Sequence, residues 1–194
     1  FQIQHSLFQY QPFFYHLVNL LFHLANIALL FFILLQLRLG LKISALSTLL
    51  FAIHPLQVEA VAWVSSFKDL FYSFWYLQAI LYYLKHWEDR NVLRRQMVVT
   101  LFFILAMLSK ISAIALPVIL ILIDYYLDRK SLAQSGRNKI PLFIIAAVFA
   151  GINLLTVQLD DACPATHGMS FINRILLSGY AFGVYLAKIF SPHS

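Results

Sequence analysis

The chain has 194 residues, of which 61% are hydrophobic and 11% are charged, and its formal net charge is +6. A soluble globular domain is only about half apolar and about a quarter charged. With a mean hydropathy of +0.79, this composition excludes an ordinary soluble domain and predicts an all-α, polytopic transmembrane helical bundle. The net positive charge is better explained by membrane topology than by nucleic-acid binding, because the cations are concentrated between apolar segments.

The first apolar segment, "LVNLLFHLANIALLFFILLQL", is long enough to cross a bilayer, which takes about 20 residues. Arg38 and Lys42 follow it, and two further basic segments read "KHWEDRNVLRR" and "LDRKSLAQSGRNK". Together these three segments hold ten of the fourteen Lys and Arg residues. Cytoplasmic loops are enriched in these residues, so we expect all three on the cytoplasmic side.

This sidedness predicts how often the chain crosses the membrane. Residues 43–85 begin and end on the same side, so they cross twice and turn near residues 54–68. Residues 96–127 would form a single helix about 48 Å long at ~1.5 Å per residue, which exceeds a hydrocarbon core of ~30 Å. They therefore also cross twice, and Ser109–Lys110 is the polar break where they turn.

Two later segments, residues 140–159 and 171–190, complete a prediction of seven membrane segments in one transmembrane domain over residues 1–194. Residues 43–54 and 97–109 are short for full spans, so we expect kinked, tilted or re-entrant helices there. Freed backbone groups in such helices must be covered by protein or by a water-filled cavity.

The turn near residues 54–68 concentrates polar groups in the sequence "AIHPLQVEAVAWVSSFKDL". Pro55 suits the first position of a helix, and a helix start presents N–H groups that favour an anion such as phosphate. Glu59 lies in this predicted helix, and Lys68 and Asp69 open the next span. The segment is either an interfacial loop whose charges pair with one another and with water, or one wall of a phosphate site.

Lys110 stands alone between apolar stretches, on the same predicted outer side as that segment. One interpretation is that its side chain extends to the lipid headgroups. The other is that its ammonium group binds a lipid phosphate, since lysine is a common phosphate ligand.

A polar stripe occupies the first span, where His16, Asn19, His23 and Asn26 recur at helical spacing on one face. Such a stripe must face the bundle or a cavity rather than lipid. It forms either interhelical hydrogen bonds or, through His16 and Asn19 at its outer end, a substrate contact. No carboxylate or third histidine is placed to complete a metal site.

Acidic residues elsewhere fit local roles. Asp124 and Asp128 precede Arg129 and Lys130 at a predicted cytoplasmic helix end, which favours local ion pairing. The pair 160–161 lies in a predicted outer loop, where solvated charge is the simpler interpretation.

Three segments resemble one family, the transmembrane and TPR repeat-containing O-mannosyltransferases and their bacterial relatives. "YHLVNLLFHLAN" resembles the start of a transmembrane helix in that family. "FAIHPLQVEAVAWVSSFKDLFYSFWYLQAILYYL" resembles its hallmark "HPxHVEAVAWVSxRKDLL" and the helix that follows, and "LAMLSKISAIALPVILILIDYY" resembles "LALLSKPxAVTLPxVLLLLDYW". Gln57 and Phe67 stand where the family pattern has histidine and arginine.

The resemblance implies a GT-C glycosyltransferase that transfers a sugar, mannose in the best-known members, from a dolichyl- or undecaprenyl-phosphate donor to a hydroxyl of a protein or glycan. It implies an active face on the lumenal side of the endoplasmic reticulum or the periplasmic side of a bacterial inner membrane. No cofactor or metal is implied beyond the lipid-phosphate sugar itself. It also implies that the family's catalytic outer loop lies upstream of Phe1 and its TPR repeats downstream of this chain.

For individual residues, the resemblance implies that Lys110, Lys68 and Asp69 line the lipid-phosphate pocket. In the corresponding hypothesis Glu59 is the best candidate within this chain for a catalytic base, and His54 orients the phosphate or the acceptor. Two other classes remain open: a transporter or flippase whose polar stripe lines a path, and a membrane scaffold without catalytic activity.

Overall fold

The computed structural model describes residues 11–63, 66–87, 91–127, 136–159, 173, 176–181 and 183–184. Within these residues the regular secondary structure is helical and no strand occurs. The expectation of an all-α fold is confirmed for this part of the chain.

In the part of the chain that the structure describes, the bounds of seven α-helices are defined: α1 Pro12–Gln36, α2 Leu41–Ile53, α3 Pro55–Ala62, α4 Phe67–Lys85, α5 Val92–Ser109, α6 Leu116–Tyr126 and α7 Ile140–Leu159. A 3₁₀ turn, Ile111–Ala115, leads directly into α6.

Two of these helices, α1 and α5, are long and apolar enough to cross a membrane. Three stretches are apolar but shorter, namely α2, Ile111–Tyr126 and Ile140–Thr156. Helix α5 has 18 residues because it begins at Val92, so the expectation of a short segment over residues 97–109 is wrong. The expected short length is found in α2, which has 13 residues. The count of seven crossings stays a prediction.

The helix boundaries follow from backbone chemistry. A residue before proline is driven into an extended conformation, and His54 accordingly has φ −65° and ψ 132°, which ends α2. Pro55 then begins α3, as its sequence predicts. Lys110 is extended, with φ −156° and ψ 132°, and ends α5 at the predicted break. Gly40 precedes α2 with φ +76°, a conformation that side chains disfavour.

The central helix of the bundle is α4, which packs against both α1 and α5. Its contact with α1 is aromatic: Phe22 meets three rings of α4 edge-to-face at 5.4–5.5 Å, those of Phe67, Phe71 and Phe74. On the other side, Trp75 stacks on Phe102 of α5 at 5.7 Å. Edge-to-face and offset-stacked pairs are favourable ring geometries, so aromatic packing fixes α4 between its neighbours.

Two side-chain contacts define the two ends of the bundle. At one end Asp69 pairs with Lys110, and at the other Tyr83 contacts Asp124. Asp69 and Tyr83 are fourteen residues apart, and so are Lys110 and Asp124. Fourteen residues span about 21 Å in an α-helix, and slightly more where the second stretch is 3₁₀. Helix α4 and the stretch ending in α6 therefore run in the same direction, and α5 returns between them. This confirms the predicted chain reversal at Ser109–Lys110.

The chain divides into two compact units, residues 1–150 and 151–194. The first contains helices α1 to α6 and the beginning of α7, together with every site discussed below. In the second, the structure describes the end of α7 and the helical residues 173, 176–181 and 183–184. The single membrane domain over residues 1–194 stays a prediction.

Candidate active site

A polar cavity of about 580 Å³ lies at the Lys110 end of the bundle. Its walls come from α1, α2, α3, α4 and Lys110 at the α5 break. Side chains that can form hydrogen bonds make up much of the lining: His23, Asn26, Gln57, Ser66, Asp69, Tyr72, Ser73, Tyr76 and Lys110. A membrane helix bundle gathers such groups where a polar ligand or path is accommodated.

The ion pair between the Lys110 ammonium and the Asp69 carboxylate lines this cavity. The two side chains are 40% and 38% exposed, and the ammonium also lies 5.8 Å from the ring centroid of Tyr72. Exposed ion pairs contribute only about 0–1 kcal/mol to stability. Lys110 can therefore exchange its carboxylate partner for another anion at little cost.

Asp69, Tyr72, Ser73 and Tyr76 form one face of α4, at spacings of three and four residues. The Ser73 hydroxyl donates to the Asp69 carbonyl oxygen at 2.7 Å, which keeps this side chain against its own helix. The sequence motifs do not identify the two tyrosines and Ser73 as site residues. Their helical spacing from Asp69 is the sequence signal that could have identified them.

The polar stripe of α1 attaches the neighbouring short helices to the bundle. The Asn19 amide donates to the backbone oxygens of Val61 and Trp63, at 3.3 and 3.1 Å. The Nε2 atom of His23 lies 3.4 Å from the Ala52 carbonyl oxygen; because that oxygen can only accept, Nε2 carries the proton.

These carbonyl groups are the ones a helix cannot satisfy by itself. The last four C=O groups of an α-helix lack an intrahelical partner, and Ala52 and Val61 lie in the last turns of α2 and α3. Water is scarce in a bilayer, so α1 supplies the donors instead. The interpretation of the stripe as interhelical hydrogen bonds is confirmed for Asn19 and His23, and the substrate contact predicted for His16 and Asn19 stays a prediction.

Deeper in the same stripe, Asn26 donates from Nδ2 to the Leu70 carbonyl oxygen of α4 at 3.0 Å. Its Oδ1 atom and the Nδ1 atom of His23 are buried and have no hydrogen-bond partner among the described residues. Both residues line the Lys110 cavity. An unpaired buried polar atom is unfavourable, so these two atoms are candidates for contact with a polar ligand.

The outer end of the stripe lines a second cavity of about 450 Å³, whose lining is mostly apolar. His16 is exposed there, whereas Asn19 is only 1% exposed and is occupied by its two backbone contacts. His23 and Gln57 line both cavities, so the polar and the apolar space share a wall.

The remaining predicted site residues are Lys68, His54 and Glu59. Lys68 is exposed and does not line the Lys110 cavity, because neighbouring positions on a helix do not face the same side. His54 is half-buried at the break between α2 and α3, where its carbonyl oxygen accepts from the Gln57 N–H at 2.8 Å. The Glu59 side chain lies outside the described residues. The roles predicted for these three residues stay predictions.

A second polar cluster lies at the opposite end of the bundle. The Tyr83 hydroxyl donates to both carboxylate oxygens of Asp124, at 2.7 and 2.9 Å, and the Lys139 ammonium donates to Oδ2. All three residues are buried. Asp124 therefore pairs with a lysine fifteen residues later in the chain, a contact that the sequence interpretation missed. Asp128, Arg129 and Lys130 lie outside the described residues.

Within the described part of the chain, no group of three His, Cys, Asp or Glu side chains is arranged to hold a metal ion.

Half of the chain is similar to proteins of known family. It is 32% identical over 105 residues to Protein O-mannosyl-transferase TMTC3 of Homo sapiens and 33% identical over 105 residues to that of Mus musculus, in each case 54% of this chain. It is 35% identical over 92 residues, or 47% of the chain, to Protein O-mannosyl-transferase TMTC2 of Homo sapiens. No family model and no solved structure matches it.

These matches confirm the resemblance to the O-mannosyltransferase family. The chain spans 11% of the length of the curated relatives it matches. Together with the two long apolar helices, the relatives indicate a membrane protein.

Proposed function

We propose that the chain forms part of a GT-C-type membrane glycosyltransferase, which transfers mannose from a polyprenyl-phosphate donor to a hydroxyl group of a protein. The observation that carries the proposal is Lys110, held by Asp69 in a polar cavity. The relatives are named protein O-mannosyl-transferases, which supports mannose as the sugar and a protein as the acceptor. The active face would be the side opposite the basic segments, lumenal or periplasmic.

In the proposed reaction the acceptor oxygen attacks the anomeric carbon while the bond from that carbon to the phosphate oxygen breaks. The acceptor proton goes to a carboxylate base, and the lipid phosphate departs with the bonding electron pair. A cation beside the departing phosphate stabilises the charge that develops there. Lys110 supplies that cation, and Lys68 would add a second from the first turn of α4. Glu59 is the candidate base within this chain, and His54 the candidate orienting group.

The two adjoining cavities suit the two halves of such a donor. The phosphate requires a cation and the sugar hydroxyls require acceptors, and the Lys110 cavity supplies both: the ammonium of Lys110 for the phosphate, and the unpaired Asn26 Oδ1 and His23 Nδ1 atoms for the hydroxyls. The mostly apolar space beside His16 suits the first isoprene units of the lipid. In this arrangement Asn19 has a positioning role: its hydrogen bond holds α3 in place, and Gln57 of α3 lines both cavities.

The test is mannose transfer by the intact protein with Lys110→Ala, Lys68→Ala and Lys42→Ala, measured against the concentration of a polyprenyl-phosphate mannose donor. Removing one group that stabilises developing negative charge costs about 10²–10³-fold in rate, so we expect a loss of that order for Lys110→Ala. Lys42 is exposed in a basic segment and serves as the matched control, since it loses the same charge. Full activity of both Lys110→Ala and Lys68→Ala would refute the phosphate assignment.

One observation also suits a transporter of lipid-linked sugars, because helices interrupted like α5 and Ile111–Ala115 occur at transporter binding sites. The same donor separates the two functions. A transferase releases mannosylated acceptor and free polyprenyl phosphate, whereas a transporter moves the donor across the bilayer with its glycosidic bond intact. A scaffold would do neither.

A further inference from the structure

An apolar crevice of about 410 Å³ lies at the end of the bundle opposite Lys110. Helix α5 forms one wall from Leu93 to Ile104, a length of about 16 Å. The other wall comes from residues 138–142, at the start of α7. On α5, Leu93, Met97 and Leu101 are 72%, 66% and 54% exposed, and their spacing of four residues aligns them in one stripe.

Cationic and amide groups occupy the end of this crevice where α5 begins. Arg95, Gln96, Asn138 and Lys139 all line it, and the Gln96 amide donates to the Asn138 carbonyl oxygen at 3.1 Å. The crevice therefore combines a basic polar end with an apolar channel, as lipid sites between membrane helices do.

Arg95 is the cation of this crevice that has no counter-charge among the described residues. It is 5% exposed, and its Nη1 atom donates to the backbone oxygens of His86 and Trp87 at 3.2 and 2.6 Å. Its guanidinium also lies 4.8 Å from the Trp87 ring centroid and 5.4 Å from that of Tyr83. The Nε atom is buried and has no hydrogen-bond partner, and no carboxylate pairs with Arg95 among the described residues.

The neighbouring cation differs, because the charge of Lys139 is balanced by Asp124. A buried charge is strongly unfavourable unless an opposite charge accompanies it. The part of the crevice that the structure describes thus lacks one negative charge beside Arg95, and it offers an apolar wall that leads away from that position. A soluble anion would balance the charge but leave the apolar wall uncovered.

We propose that this crevice binds an anionic phospholipid, with its phosphate at Arg95 and an acyl chain along the stripe of α5. The site is distinct from the Lys110 cavity, lies at the opposite end of the bundle, and does not depend on the transferase reaction. Phosphatidylglycerol is a suitable probe, and phosphatidylcholine is the matched lipid without net charge.

The experiment measures retention of each lipid by the intact purified protein, using native mass spectrometry and lipid titration of its thermal unfolding. We expect the wild type to bind phosphatidylglycerol at least tenfold more tightly than phosphatidylcholine, and Arg95→Gln to lose that preference. The control is Arg94→Gln, which removes the same charge from an exposed neighbour and should change the affinity less than twofold.

Two further variants keep the test decisive if Arg95→Gln does not fold. Arg95→Lys retains the charge and should keep most of the preference. Ile104→Trp narrows the crevice without altering its charge, and should weaken binding of both lipids at least fivefold. The proposal would be overturned if Arg94→Gln and Arg95→Gln lost the preference for phosphatidylglycerol equally, or if the wild type showed no such preference. Displacement of the lipid by millimolar inorganic phosphate would indicate a soluble anion site instead.

Discussion

Replacing Asn19 by leucine tests whether α1 holds the short helix α3 in place. Leucine has a similar size but no N–H donor, so the change removes the two contacts to the Val61 and Trp63 carbonyl oxygens without opening a cavity. Interhelical hydrogen bonds in membrane proteins average about 0.6 kcal/mol and reach about 1.7 kcal/mol. Two of them give an expected loss of about 1–3 kcal/mol in the free energy of unfolding.

The change should also lower activity, because α3 carries Gln57 in the shared wall of the two cavities. We expect mannose transfer to fall about tenfold through a weaker apparent affinity for the donor, and hydrogen exchange to accelerate at the amides of α3. Denaturant titration in mixed micelles gives the free energy of unfolding.

The matched control is Asn153→Leu, the same chemical change at an exposed position in α7. It should leave both the free energy of unfolding and the exchange of α3 unchanged. Equal effects of Asn19→Leu and Asn153→Leu, or unchanged exchange in α3 with Asn19→Leu, would refute the reasoning.

Three further changes test the two ends of the bundle. Exchanging the charges of the half-exposed pair, with Lys110→Asp and Asp69→Lys together, should give a free energy of unfolding within about 1 kcal/mol of the wild-type value, but should not restore mannose transfer. Recovered activity would mean that the pair is only structural. Lys139→Met should destabilise the protein by about 3–5 kcal/mol because it removes one partner of a buried pair. The double variant Lys139→Met with Asp124→Leu should recover most of that loss in the free energy of unfolding. If denaturant titration shows that the losses of the two single variants add up in the double variant, this reasoning is contradicted. In a cysteine-free background, a membrane-impermeant maleimide should label Lys110→Cys and Arg137→Cys from opposite sides; labelling from one side would contradict the predicted topology.

The sequence predicts the helix breaks and the polar stripe because both have local causes. Pro55 changes the conformation of the residue before it, and Lys110 interrupts an apolar run that is too long for one span. The stripe from Asn19 to Asn26 follows from helical spacing alone. None of these features requires knowledge of which helices are neighbours.

The partners of the charged residues could not be predicted in the same way. Lys68 and Asp69 are adjacent in sequence, yet Asp69 pairs with Lys110, forty-one residues away, because α4 turns its two neighbouring positions to different sides. Likewise Asp124 precedes two cations closely but pairs with Lys139. Which cation reaches a carboxylate depends on how the helices pack, and the charge pattern of a single sequence leaves this undetermined.

The contrast between the two ion pairs supports placing the proposed chemistry at Lys110. The pair of Asp124 and Lys139 is 0% and 5% exposed, and the Tyr83 hydroxyl bridges both carboxylate oxygens. Separating that pair to bind a substrate would leave buried charges uncompensated. The pair therefore has a structural role, in which it holds α4, α6 and the start of α7 together. The pair of Asp69 and Lys110 is 38% and 40% exposed, and solvent can stabilise either charge while the other changes partner. In the proposed site a lipid phosphate would therefore replace Asp69 beside Lys110 at a cost of about 1 kcal/mol or less, and the displaced carboxylate would stay within a cavity lined by hydroxyl and amide groups.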